Sequence, residues 1–272
     1  MSSQQTITFF GATGGCAGAS LALCLKSNHH CVALVRTPDK LRKLLESKHD
    51  VPATILDSYL TVIQGNIKSE EDVKKTLTVT DALPDIILFG IGASPKLQMS
   101  LKAPATLDDP HVCAEGMKTV ISALKDLQSQ NIKLGPSGKK PLITTISTTG
   151  VSKIRDVPYS IYPVYHWLLS VPHIDKREME NVLVAAARES NSPISSFTIV
   201  RPTLLSDGAM KGLEKVKAGW VYPDDDDREG ALTEAGPKMG YQISRGDVGT
   251  WIFERIIKGN GEWNGKCASL TY

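Results

Sequence analysis

No apolar run in this sequence approaches the length a membrane span requires. The opening residues, Met1 to Gln5, are short and polar, unlike a targeting segment, so the expected location is the cytoplasm. Charge of one sign is missing too: 31 Lys and Arg stand against 29 Asp and Glu, a net charge of +2. Such a balance gives no electrostatic footprint for nucleic acid. The five cysteines (Cys16, Cys24, Cys31, Cys113, Cys267) form no C-x-x-C pair and no disulfide-like spacing, and are read as reduced thiols. No repeat at solenoid spacing is present. The partner left by these exclusions is a small molecule, with no nucleic acid and no membrane, and the chain is expected to be a monomer or homodimer.

What is there is an ordinary globular balance, 41% hydrophobic and 22% charged over 272 residues, enough for one sizeable α/β core. Short apolar runs alternate with longer helical stretches. Strands are expected at 6–10, 30–35, 60–64, 85–89, 142–147, 196–201 and 267–271. Helices are expected at 17–27, 38–47, 70–76, 110–131, 176–189 and 247–258. This rhythm predicts a doubly wound, mainly parallel sheet, a Rossmann fold, as a single domain over 1–272. After Arg201 the glycines, prolines and the aspartates at 224–227 crowd together. Residues 203–242 are therefore expected to leave the main sheet and form a small substrate-side lid.

The strongest local signal is Gly11-Ala12-Thr13-Gly14-Gly15-Cys16-Ala17-Gly18, which follows an apolar strand and opens a helix. Gly11 permits the tight turn, Gly14 lets backbone approach a pyrophosphate, and Ala17 or Gly18 keeps the helix close to the strand. The helix N-terminus then offers free N–H groups to phosphate, which brings in Thr13, Gly15 and Cys16 as well. The spacing is G-x-x-G-x-x-A rather than strict G-x-G-x-x-G. At the end of the second strand, where an NAD site places a carboxylate, stands Arg36, with Lys40, Arg42 and Lys43 close by. A guanidinium pairs with a 2′-phosphate that a carboxylate would repel, so Arg36 argues for NADP(H). The alternative leaves Arg36 in solvent and gives the ribose to Asp39.

Gly11-Ala-Thr-Gly14-Gly15 followed by Ala33-Leu-Val-Arg36 resembles the opening of the NmrA-like, NAD(P)H-binding atypical short-chain dehydrogenase/reductases. Gly65-Asn66-Ile67 resembles the turn after that family's third strand, with Asn66 in place of its usual aspartate. Phe197 to Pro202 and Ile243 to Val248 resemble its sixth strand and the opening of its last helix. The resemblance implies that Asn66 and Ile67 meet adenine and that Gly90, Ile91 and Gly92 border the nucleotide. It places Ser147, Thr148 and Pro202 near the nicotinamide. Short-chain dehydrogenases use Tyr-x-x-x-Lys, in which tyrosine donates the proton and lysine holds the nicotinamide ribose. Here Lys176 is retained, with Glu180 four residues on, but Pro172 occupies the tyrosine position and cannot donate. Tyr159, Tyr162, Tyr165, His166 and His173 are the nearby acids; Tyr162, Tyr165 and His173 are carried forward with Lys176 as catalytic candidates.

The resemblance implies an NADPH-dependent reductase acting on a small to medium hydrophobic carbonyl, imine or enone, in a biosynthetic pathway. Enone or imine reduction relaxes the need for the missing tyrosine. Loss of that tyrosine equally suits a redox-neutral isomerase or cyclase using bound NADP(H), or a redox sensor regulating a partner protein. The aspartates at 224–227, His29 with His30, and Cys113 lack the partners a metal site or a nucleophile needs and are set aside, so no metal is expected.

Overall fold

In a computed structural model that describes residues 4–92, 95–97, 105–107, 109–163, 167, 169–223 and 235–272, the apolar runs become a parallel sheet. Strands β1 (Thr6–Phe10), β2 (His30–Val35) and β3 (Leu60–Gln64) occupy the expected residues, and β4 (Ile86–Phe89) begins one residue later than expected. A short hairpin, β5 (Pro95–Leu97) with β6 (Ala105–Leu107), follows, then β7 (Leu142–Ile146), β8 (Ser196–Pro202), β9 (Leu204–Ser206), β10 (Lys217–Val221), β11 (Gln242–Ser244) and β12 (Lys266–Thr271). The main sheet has eight strands in the order β10-β12-β8-β7-β4-β1-β2-β3, all parallel except β10. Its inner strands are apolar on both faces, as a sheet covered by helices on both sides demands.

Successive residues of one strand serve two cores, because side chains alternate across the sheet. Phe9, Ala33, Val35 and Leu88 point to α1 (Gly15–Lys26), α2 (Pro38–His49) and α7 (Arg245–Ile252). Phe10, Leu34, Ile87 and Phe89 point to α4 (Glu70–Leu77), α5 (Val112–Ser129) and α6 (Ser170–Arg188). One short helix, α3 (Ala53–Tyr59), had no place among the expected elements. No described helix is long and apolar enough to cross a membrane.

Two expectations are corrected. Residues 203–242 do not leave the sheet altogether, because β10 forms its antiparallel edge against β12. Gly219 is a site of close approach rather than a turn former: a Cβ on it would lie 2.8 Å from the Lys238 backbone nitrogen. Helix α6 starts at Ser170, not Lys176. Pro172 falls in its first turn, where the missing N–H would have had no intrahelical partner anyway. His173 and Lys176 consequently share one helix.

The start of α7 is fixed by a single carboxylate. Ser244 caps the helix by accepting the Asp247 N–H at 3.0 Å, and the fully buried Asp247 carboxylate accepts from the Lys211 and Gly212 N–H groups at 2.7 and 3.1 Å. The Ser244 and Tyr272 hydroxyls also donate to it. Burial alone would raise its pKa, but these donors, Tyr272 foremost, outweigh it and hold the group below the usual carboxylate range. Asp247→Asn is expected to destabilise the protein by about 1–3 kcal/mol at pH 7, read as a lowered urea midpoint. With a folded pKa below the unfolded value of about 3.9, the wild-type advantage is complete above that pH and vanishes as pH falls through the lower folded value.

Candidate functional site

After β1 the chain winds to β2 on one side, while β4 flanks β1 on the other, so a crevice opens beyond the strand ends at this reversal. Backbone contact sets its floor. Gly11 has φ +84°, and a Cβ there would lie 2.6 Å from the Gly90 carbonyl and 2.8 Å from the Ile91 nitrogen. A Cβ on Gly90 would in turn lie 2.8 Å from the Ala17 methyl. Only glycine fits either position, and α1 therefore starts directly over the end of β1.

Above this floor lies a cavity of about 590 Å³, a size suited to a cofactor. Gly11, Thr13 and Gly14 line it from the first turn, and Arg36 and Lys40 from the end of β2 and the start of α2. Asn66, Ile67 and Lys68 contribute from the turn after β3, and Gly90, Ile91 and Gly92 from the exit of β4. Asp109 and Val112 close it at the start of α5. The first turn of α1 carries no acidic residue and no side-chain cap, in contrast to α4, which has both. Uncapped N–H groups at that end are what an anion requires. The Asn66 side-chain oxygen accepts the Lys68 N–H at 3.1 Å, so it shapes the turn.

The remaining nucleotide candidates fall elsewhere. Cys16 and Ala17 are buried behind the turn, and burial pushes the Cys16 thiol up to about 12. Gly15 faces the Arg245 side chain. Ser147, Thr148 and Pro202 gather at the ends of β7 and β8, where the Ser147 N–H donates to Val200 at 2.7 Å and the Thr149 N–H to Pro202 at 3.1 Å. Lys176 joins this group to the cavity: its ammonium donates to the carbonyls of Ile91 and Ile146, each at 2.8 Å. Next to it, the Asp175 carboxylate accepts from the Cys113 and Ala114 N–H groups at 3.0 and 2.8 Å, capping α5 from another helix.

One turn beyond Lys176, Glu180 and Arg201 form a buried two-point ion pair, with contacts of 3.1 and 2.6 Å. His173 is buried and backs onto Gly150 and Val151 around a hollow of about 430 Å³. Tyr162 is exposed before α6, and Tyr165 and His166 lie outside the described residues, as do the aspartates at 224–227. Lys68, Asp109 and Asp175 had no local signal, since each matters through a partner distant in sequence. The same holds for Asp156. Its buried carboxylate accepts the Gly150 N–H at 2.8 Å, and its second oxygen has no partner among the described residues.

The fold and cleft define a dinucleotide-binding protein of the Rossmann class. The model of the NAD(P)H-binding family matches residues 11–257, and the chain belongs to that family. It is 38% identical over 282 residues to Reductase pytE of Aspergillus terreus, covering 100% of this chain and 99% of that protein. It is 35% identical over 301 residues to Oxidase pynE of Aspergillus niger, covering 99% of each. Among solved structures it resembles the reductase ChuY of Escherichia coli, with a TM-score of 0.60 at 17% identity, over 97% of this chain and 96% of that one. A Thermococcus sibiricus alcohol dehydrogenase complexed with 5-hydroxy-NADP matches with a TM-score of 0.59 at 12% identity, over 98% and 95%. The chain is an oxidoreductase that uses a nicotinamide cofactor and a small-molecule substrate.

Burial raises the Asp156 carboxyl to about 6, with Glu180 adding to the rise and the Gly150 N–H and Arg201 opposing it. A folded pKa above the unfolded value means stability is full at low pH and lost as pH rises from about 4 through 6. Asp156→Asn is therefore expected to be more stable than wild type at pH 8, by on the order of 1–3 kcal/mol, with the difference shrinking at pH 4. Thermal unfolding at the two pH values reads this.

Proposed function

We propose that the protein is an NADPH-dependent reductase of small to medium hydrophobic enones, imines or carbonyls. The observation that carries the cofactor choice is the ribose end of the cavity. Arg36 and Lys40 both line it, both are exposed, and no carboxylate lines it beside them at the end of β2. Two cations there favour the extra phosphate of NADP(H) over the hydroxyl of NAD(H). The uncapped first turn of α1 suits the pyrophosphate.

A bound nicotinamide supplies the hydride. The chain's own groups hold and orient. Lys176 spends two of its three protons on Ile91 and Ile146, which fixes the ammonium and leaves the third for a ribose hydroxyl. Ser147, at the end of β7, is buried, and its hydroxyl has no partner among the described residues; we assign it to the nicotinamide end of the site. With Pro172 in the tyrosine position, an enone or imine suits the site better than a simple ketone, because the proton can arrive from solvent after the hydride. His173, one turn before Lys176 on the same helix, is the candidate we assign to relay it. Tyr162 and Tyr165 remain secondary candidates. After β9, the backbone N–H groups of Lys211 and Gly212 are tied to the start of α7 by Asp247.

NADPH carrying deuterium at C4, supplied in each stereochemical form with a set of enones and imines, tests this directly. One deuterium in the product from one form only is the expected result; no labelled product despite NADPH binding would contradict it. In the same assay Arg36→Glu is expected to raise KM for NADPH by about tenfold to a hundredfold and to change that for NADH less than about threefold.

A further inference from the structure

Charge marks two places in the cavity: the first turn of α1 for the pyrophosphate, and Arg36 with Lys40 for the 2′-phosphate. The base hangs from the same ribose that carries the 2′-phosphate. The lining left for it is the turn after β3 and the opening of α5. Ile67 and Val112 line the cavity there and offer apolar contact to the faces of a planar ring. The polar residues lining the same place are Asn66, Lys68 and Asp109.

Asn66 is committed to its own turn. Its backbone N–H donates to the Asp72 carboxylate at 2.9 Å, and its side-chain oxygen accepts the Lys68 N–H at 3.1 Å. Lys68 reaches the other way, across to α5, where its ammonium meets Asp109 at 2.7 Å and Glu115 at 2.6 Å. The Lys68 and Asp109 side chains are 37% and 38% exposed, and so open to a ligand. Of the two carboxylates, Asp109 lines the cavity and Glu115 stands outside its lining. Lys68 therefore keeps one counter-charge when the other turns to a ligand. The ammonium beside it holds the Asp109 carboxyl below the usual carboxylate range, so the group is ionised and can only accept. An ammonium and a carboxylate side by side present one donor and one acceptor. Adenine presents the matching pair, a donating amino group beside an accepting ring nitrogen. A 6-oxo purine presents an acceptor where the amino group stood.

We propose that Asp109, with Lys68 at its side, selects adenine as the base of the dinucleotide by accepting from its exocyclic amino group. The inference rests on the reading of the cleft as a dinucleotide site. It places the acceptor for the base at the opening of α5 and leaves Asn66 to shape the turn after β3.

The test compares dissociation constants of the full chain for NADPH and for its hypoxanthine counterpart, in which an oxo group replaces the adenine amino group. Wild type is expected to prefer NADPH by about tenfold. Asp109→Asn, whose amide can either accept or donate, is expected to reduce that preference to less than about threefold. Glu115→Gln takes the other charge from Lys68, and Asn66→Ala removes the other polar side chain at this place. Each is expected to keep the preference within about twofold of wild type. The preference is a ratio read on one protein, so a change of stability shared by both ligands cancels. No preference in wild type, an unchanged preference in Asp109→Asn, or its loss in Asn66→Ala or Glu115→Gln would overturn the proposal. Failure of the wild-type chain to bind either dinucleotide would overturn the reading of the cleft itself, before any variant is compared.

Discussion

The contact on which the rest of the site depends is between two pieces of backbone. Gly11 touches the carbonyl of Gly90, and Gly90 touches the methyl of Ala17, with no room for another side chain at either glycine. This brings the first turn of α1 down onto the ends of β1 and β4. Its uncapped N–H groups then point into the crevice where the winding of the sheet reverses. The other lining groups, Arg36 and Lys40 after β2 and Ile67 and Lys68 after β3, follow from which strand ends lie beside that floor.

The second half of the site is held by charged groups with distant partners. Lys176 bridges the exits of β4 and β7, Asp175 caps α5, and Glu180 grips Arg201 at the end of β8. All three come from one stretch of α6, so this helix fixes the relative positions of β4, β7, β8 and α5. Pro172 costs α6 little because it sits in the first turn. The chain can therefore lose a tyrosine at that position and keep the lysine geometry intact. On the proposed function, in which Lys176 holds the ribose, a site without the tyrosine is suited to substrates that need orientation more than proton donation.

What could be read from sequence was what depends on local pattern. The β1 to β3 boundaries were legible as short runs rich in apolar and β-branched residues, and the glycine turn because its residue types are dictated by backbone space. The edge strand β10 was not, since Gly219 signals a turn locally and is there for the close approach of Lys238. The first six residues of α6, 170–175, lie outside the expected helix, and Pro172 among them sits in the first turn, where proline is tolerated. Asp175, Asp156, Asp247 and Asp109 act across separations of 6 to 62 residues, which periodicity cannot register.

Hydrogen–deuterium exchange of the backbone, with and without NADPH, tests the central claim most directly, because it reads the N–H groups on which the site is built. The account predicts slowed exchange in peptides covering residues 11–18, 34–40, 65–68 and 90–92, strongest in the first turn of α1. Saturating NADPH that protects none of these segments, or only segments remote from the ends of β1 and β4, would contradict it.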